Sequence, residues 1–241
     1  AFVDYVDKEN DEEHKNFEFE TTISPSLVLS SQFGEQIPRG EAFGIYAIRL
    51  PNSEGGMEEI EISYPRVEKY PTGDRSKPVT EMGTIDDDAF RRDFSINALF
   101  YDVGNDEILD ITGHGIEDIK NKTIRVSGSD QNPSQVSSVL SEDPLRILRA
   151  YRFAAQLNFR IDEQIRNFVK ANPHLLTIRD ERGLVEHLSA ERFKPELDKI
   201  MSSGKSAEIL QMLREDNILS NIFQLPEGSE DWDFDQMNKY H

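Results

Sequence analysis

The chain has 241 residues, no cysteine and a formal net charge of −19, with 46 acidic against 27 basic side chains. The absence of thiols excludes disulfides, thiolate catalysis and Cys-ligated zinc. The acidic excess argues against a generic nucleic-acid binder, which presents a basic face. No apolar run approaches membrane-spanning length and no amino-terminal signal pattern is present, so no membrane partner is expected.

Residues 1–42 are acidic and weakly periodic and read as a poorly defined amino-terminal segment, with a short strand or helix at Ser26 to Ser31. The start at Ala1 rather than Met fits processing or truncation upstream. From Phe43 the pattern sharpens. Residues 43–50 and 58–64 read as strands around a hairpin loop at Pro51 to Gly56. Residues 65–83, punctuated by Pro65, Pro71, Gly73, Pro78 and Gly83, read as an irregular loop. Thr84 before Asp86-Asp87-Asp88 marks a helix start, with carboxylates at the positive end of the dipole. Short strands follow at Ile108 to Asp110 and Thr123 to Val126.

Ser127 to Ser141 is rich in Ser and Gln and reads as a linker. From residue 143 the pattern is helical: Ile147, Tyr151 and Ala154 share a face, and further helices are predicted over 162–171, 189–201 and 205–217. The domain reading is therefore a mixed α/β head over 43–140, a helical part over 141–225 and an acidic tail over 226–241. The stretch 141–200, with 11 basic against 10 acidic residues, alone lacks an acidic excess. The histidines His14, His114, His174, His187 and His241 lack metal-ligand spacing and read as surface or packing residues.

Two runs carry candidate chemistry. In Glu142-Asp143-Pro144-Leu145-Arg146, Asp143 and Arg146 lie three apart at a helix start, so both can project toward one ligand. Cytosine and adenine offer an amino donor beside a ring-nitrogen acceptor, whereas guanine and uracil reverse that order. A carboxylate with a guanidinium would thus take C or A and reject G and U. The structural alternative is an Asp143 N-cap followed by Pro144, with Arg146 paired to Glu142. Arg149 and Arg152 extend a basic stripe that suits a triphosphate or an RNA backbone, or equally a salt-bridged helix face. In Arg91-Arg92-Asp93-Phe94-Ser95-Ile96-Asn97-Ala98, the adjacent arginines suit bidentate contacts to phosphate oxygens. Asp93 and Asn97, one helical turn apart, suit ribose hydroxyls. The alternative pairs both arginines with Asp87 and Asp88.

Taken in order with Asp110 to Lys120, Ile124-Arg125, Ser189-Ala190-Glu191-Arg192 and Ser206 to Phe223, these runs resemble the bacterial-type tRNA nucleotidyltransferases (CCA-adding enzymes) and their poly(A) polymerase relatives. The resemblance spans roughly Phe43 to Phe223. It implies an α+β fold, a nucleotidyltransferase-type (polymerase-beta-like) mixed sheet followed by an all-helical neck. It implies CTP and ATP as ligands and an RNA 3′ end, most closely a tRNA receiving CCA, as partner. Arg91, Arg92, Asp93 and Asn97 would hold triphosphate and ribose, and Asp143 and Arg146 would select the base. Arg149 and Arg152 would support the phosphates or the template pair, while Glu191 and Arg192 would brace the helices.

The family also uses Mg²⁺ held by an Asp-x-Asp pair after a Gly-rich turn. No such pair precedes Phe43, since Asp4-Tyr5-Val6-Asp7 has the wrong spacing. Glu59 and Glu61 share a strand face, and Glu61 is the candidate additional carboxylate. The arginine usual shortly before the Glu-Asp pair is replaced by Ser138-Val139-Leu140-Ser141. The sequence therefore reads as part of an RNA nucleotidyltransferase whose metal site comes from an upstream or separate segment or another chain. The alternative is a catalytically inactive homologue serving as a scaffold or RNA-contacting subunit. An intracellular setting, cytoplasm or an organelle such as the mitochondrion, is expected.

Overall fold

The structure is a computed structural model that describes residues 18–20, 36–40, 45–51, 55–63, 65–69, 79–102, 104–177 and 190–223. These fall into two compact units, one within residues 1–92 and 97–113, the other within 93–96 and 114–241. The expectations for Asp4 to Asp7, Ser26 to Ser31, His14, His187, His241 and the tail over 226–241 lie outside the described residues, as do the side chains of Glu61 and Glu191.

The first unit is built on strands. β1 (Glu18–Glu20), β2 (Gln36–Gly40), β3 (Ile45–Pro51) and β4 (Met57–Ser63) form one sheet in the order β1-β4-β3-β2. β3 and β4 make the predicted hairpin, antiparallel from Ile45↔Ser63 to Pro51↔Met57, while β1 runs parallel to β4. Two of the four strands thus come from residues 1–42, which corrects the reading of that segment as undefined. β1 is acidic and its partner β4 lies some forty residues on, whereas β2 is short and interrupted by Pro38, so neither shows a clear alternation.

β5 (Arg66–Lys69) and β6 (Val79–Met82) pair antiparallel within the stretch read as an irregular loop. Gly83 fits this hairpin closely: a Cβ there would lie 3.0 Å from Val67 Cγ2 and 3.2 Å from the Arg66 backbone.

α1 (Ile85–Arg91) starts at the predicted Thr84 through a capping box. Thr84 Oγ1 accepts from Asp87 N at 3.1 Å, and the Asp87 carboxylate accepts from Thr84 N at 2.8 Å. Those bonds from Thr84 hold the exposed Asp87 carboxyl below its ordinary pKa. Thr84→Ala is expected to destabilise by about 1 kcal/mol, read as a shifted urea midpoint. β7 (Leu99–Asp102) and β8 (Glu107–Asp110) close the unit as a second antiparallel pair, of which only β8 was anticipated.

The second unit is mostly helical: α2 (Gly115–Lys120), α3 (Ser134–Glu142), α4 (Leu145–Leu157), α5 (Glu163–Ala171), α6 (Ala190–Met201), α7 (Ser206–Glu215) and α8 (Leu219–Ile222). Short strands β9 (Thr123–Ile124) and β10 (Arg160–Ile161) pair in parallel. α3 occupies the segment read as a linker. Its Val136, Val139 and Leu140 fall at helical spacing and are buried, so the periodicity overrides the polar composition.

α4 is central. Ile147, Leu148, Ala150, Tyr151 and Ala154 line its buried face, and Asn158 ends it in the left-handed conformation (φ 53°). The core gathers Phe94, Ile124, Leu140, Ile165, Ile200 and Leu213 around it. Each fully buried side chain of this size contributes about 1.5–3 kcal/mol. Because α2 and β9 pack here, the unit boundary near 113/114 precedes the predicted division at 140/141.

Candidate nucleotide-binding residues

The run Arg91 to Ala98 is not one helix. α1 ends at Arg91, Arg92 turns extended (ψ 157°), and Ser95–Asn97 forms a single 3-10 turn. The expected one-turn spacing of Asp93 and Asn97 is therefore absent. The physical cause is Phe94, which is fully buried, bridges to Val126 and meets the Phe153 ring edge-on at 6.0 Å. Burying that ring against the helical unit outweighs continuing an exposed helix.

Within the first unit, Arg91 and Arg92 both rest on Asp88, which is fully buried. Arg92 Nε donates to Asp88 Oδ2 at 2.9 Å, its NH1 donates to the Asn97 carbonyl at 3.1 Å, and its guanidinium lies 4.9 Å from the Phe100 ring centroid. This is the structural alternative offered by helical spacing, with Asp88 taking both arginines and Asp87 taken up by the cap.

Within the second unit, five of the predicted residues gather on and beside α4. Asp93 accepts from its neighbour Phe94 N at 2.9 Å and from Arg149 Nε at 2.7 Å. Burial opposes the charge on Arg149. The field and hydrogen bond of Asp93, with Glu196 and Asp143 beyond, outweigh it and raise its pKa above the ordinary arginine value. Asp143, 8% exposed, is gripped by Arg192: NH1 to Oδ1 at 3.0 Å and NH2 to Oδ2 at 2.6 Å. Asp143 Oδ1 also accepts from Leu145 N at 3.3 Å, although the N-cap of α4 falls on Pro144 rather than on Asp143 as expected.

Arg146 donates to the Val139 carbonyl at 3.3 Å and lies 3.7 Å from Glu142, the pairing foreseen as its alternative. Arg152 is 7% exposed and donates to Glu196 Oε1 at 2.6 Å. Its guanidinium lies 4.2 Å from the Phe153 centroid. In this structure the predicted basic stripe therefore resolves into discrete ion pairs.

Sequence reasoning missed Arg192 and Glu196 as partners of Asp143 and Arg152. Their only local signal was an i,i+4 spacing on α6, and pairings 49 and 44 residues away leave no periodic trace.

Glu61 sits in β4, opposite Ala47 of β3 and Glu18 of β1. Among the described residues no group of three or more His, Asp or Glu side chains is placed to hold a metal ion. Among the described residues, no carboxylate set is therefore placed to hold the Mg²⁺ that the family resemblance implies.

A family model described as "Poly A polymerase head domain" matches residues 6–125, and one described as "Probable RNA and SrmB- binding site of polymerase A" matches residues 158–231. The chain belongs to the tRNA nucleotidyltransferase and poly(A) polymerase family. The head-domain match begins well before Phe43, in keeping with the strands found within residues 1–42. The tRNA nucleotidyltransferase cca2 of Schizosaccharomyces pombe is 32% identical over 166 residues, covering 68% of this chain and 32% of that protein. The CCA-adding enzyme of Lactobacillus helveticus is 32% identical over 203 residues, covering 84% and 45%. Poly(A) polymerase I of Salmonella typhi is 35% identical over 142 residues, covering 59% and 27%. The chain thus spans less than half the length of these relatives.

Among solved structures, the Bacillus stearothermophilus CCA-adding enzyme in complex with CTP superposes with a TM-score of 0.69 at 23% identity, over 94% of this chain and 49% of that one. A tRNA nucleotidyltransferase complexed with a primer tRNA and an incoming ATP analog gives 0.58 at 26% identity, over 81% and 50%. The family's fold is the α+β nucleotidyltransferase type, as expected from the sequence. Among the described residues no helix is long and apolar enough to cross a membrane.

Proposed function

We propose that this chain is the nucleotide-recognising part of an RNA nucleotidyltransferase that adds C and A to RNA 3′ ends, with tRNA CCA addition as its reaction. Asp143 and Arg146 read the incoming base as a protein template. Arg91 and Arg92 take the triphosphate, Asp93 and Asn97 the ribose, and Arg149 supports Asp93. The metal carboxylates come from a segment or partner chain outside the described residues. The setting is intracellular, and a relative in Saccharomyces cerevisiae is named as mitochondrial.

The observation that carries this reading is the placement of Asp143 and Arg146 across the Pro144 turn, closed by Arg146 N donating to the Asp143 carbonyl at 3.0 Å. An ionised carboxylate only accepts and a guanidinium only donates, which matches the amino group and ring nitrogen shared by C and A. A wrong base buries an unpaired polar group, worth about 1–3 kcal/mol, and 1.4 kcal/mol is tenfold in affinity. Relatives solved with CTP, and with primer tRNA and an ATP analog, support the same ligands.

Equilibrium titration with each of the four triphosphates tests it. CTP and ATP are expected to bind at least about tenfold more tightly than UTP and GTP, with the preference lost in Asp143→Ala. Equal binding of all four, or none, would favour the scaffold reading. One observation supports that alternative: Arg152, a family phosphate candidate, is buried against Glu196.

A further inference from the structure

A carboxylate reads a base edge only if its plane is held. The torsion that rotates an Asp carboxyl about its own axis is broad and nearly two-fold, so an unrestrained Asp143 would present its oxygens over a wide arc. Three donors from two segments remove that freedom. Leu145 N reaches Oδ1 at 3.3 Å from the start of α4. Arg192, on the first turn of α6, closes a fork on both oxygens at 3.0 and 2.6 Å. A bidentate guanidinium–carboxylate pair is planar, so it fixes orientation as well as charge.

The fork is itself anchored. One helical turn after Arg192, Glu196 is 3% exposed and receives Arg152 of α4 at 2.6 Å. α6 is thereby tied to α4 and to the turn just before it by bridges of opposite polarity: carboxylate to guanidinium at Asp143–Arg192, guanidinium to carboxylate at Arg152–Glu196. The two bridges differ in exposure. Arg152–Glu196 is sealed, with side chains 8% and 3% exposed, whereas the Arg192 side chain is 42% exposed. The sealed bridge sets the helix pair, and the other holds a buried carboxylate through a guanidinium that reaches it from the solvent side.

We infer that Arg192 is a positioning residue for base selection, orienting the Asp143 carboxylate so that it accepts from the amino group of C or A. This rests on the assignment of Asp143 and Arg146 as the base-reading pair. Arg192 acts through Asp143 and touches no substrate.

The test is calorimetric titration of the full chain with CTP and UTP, using wild type, Arg192→Ala, Arg192→Lys, Asp143→Ala and the exposed same-helix control Lys199→Ala. Circular dichroism and thermal midpoints are read in parallel. Arg192→Ala is expected to cut the CTP-over-UTP preference about tenfold. Lys199→Ala leaves the preference unchanged. Arg192→Lys restores charge without the fork, so it recovers the midpoint but only part of the preference. A pure helix brace would move the midpoint and leave the ratio alone.

A folded Arg192→Ala with the wild-type ratio, while Asp143→Ala loses it, overturns this inference and spares the base-reading assignment. If Arg192→Ala fails to fold, Arg192→Lys decides: an unchanged ratio overturns the inference and a reduced one supports it. A wild type with no preference, or an unaltered ratio in Asp143→Ala, removes the assignment and this inference together.

Discussion

Asp216→Asn is expected to lower the stability of the helical unit by about 2–4 kcal/mol, measured as a reduced urea midpoint at neutral pH. Asp216 follows the last turn of α7, is fully buried, and joins three helices. Tyr151 of α4 donates its hydroxyl to Oδ2 at 2.6 Å, Arg166 of α5 reaches both oxygens at 2.6–3.1 Å, and Lys170 of α5 lies 3.0 Å from Oδ1. An amide keeps the shape but loses the charge, and turns a donating NH₂ toward groups that are themselves donors. The half-exposed Arg166 and Lys170 can turn to water, whereas the sealed Tyr151 hydroxyl cannot. Tyr151→Phe removes only that hydroxyl and is expected to cost about 1 kcal/mol.

The same cluster sets a pH dependence of known sign. Burial alone would raise the Asp216 pKa, but the hydrogen bonds of Arg166, Tyr151 and Lys170 overcome it and hold the carboxyl below its ordinary 3.8. A folded-state pKa below the unfolded one contributes stability that is present above the unfolded value and lost as pH falls through the folded one. The gap between wild type and Asp216→Asn should therefore be widest near neutrality and shrink below about pH 4. Tyr151 works at the other end. Burial first, then its bond to Asp216, raise its pKa above the ordinary 10.0, so its contribution is present below that value and declines at more alkaline pH. A gap independent of pH on the acid side would mean that the cluster is held by shape rather than by charge.

The helices after residue 143 were legible because their apolar residues repeat at 3.6. The predicted 162–171, 189–201 and 205–217 became Glu163–Ala171, Ala190–Met201 and Ser206–Glu215. Thr84 with Asp87 announced its helix by local chemistry alone. What stayed hidden depends on pairing that local pattern does not announce. Arg66↔Met82 and Lys69↔Val79 pair across a stretch whose prolines and glycines read as punctuation, and Glu18↔Glu61 joins strands more than forty residues apart. The candidate site divides the same way. Arg91 and Arg92 on Asp88 follow from i,i+3 and i,i+4 spacing. The pairings of Asp93, Asp143 and Arg152 cross 56, 49 and 44 residues and are fixed only by packing α4 against its neighbours. The motif supplied the residue types at the site, and tertiary structure chose their partners.

Arg152 shows what that difference means for experiment, because its two readings predict opposite results. As a phosphate ligand, it could be replaced by methionine at little cost to stability and with weakened binding of every triphosphate. As the sealed partner of Glu196, it could not. Arg152→Met would leave a 3%-exposed carboxylate deprived of its guanidinium, and removing one member of a buried pair costs about 3–5 kcal/mol. Arg149, which already feels Glu196 through the field, is committed to Asp93 at 2.7 Å and is poorly placed to compensate. The geometry here favours the second reading.

Arg152→Met is therefore expected to lower the unfolding free energy by about 3–5 kcal/mol, and Arg152→Met with Glu196→Leu to recover most of that loss, because well-packed apolar pairs replace buried ion pairs at little net cost. The recovery is the informative quantity. A stability ligand is rescued by changing its partner, whereas a nucleotide ligand is not. Urea titrations of the three variants, with CTP affinity measured on the rescued double variant, separate the two roles. Full rescue of stability with wild-type CTP affinity would assign Arg152 wholly to the joint between α4 and α6. Rescued stability with weakened CTP and UTP alike would return it to the phosphates.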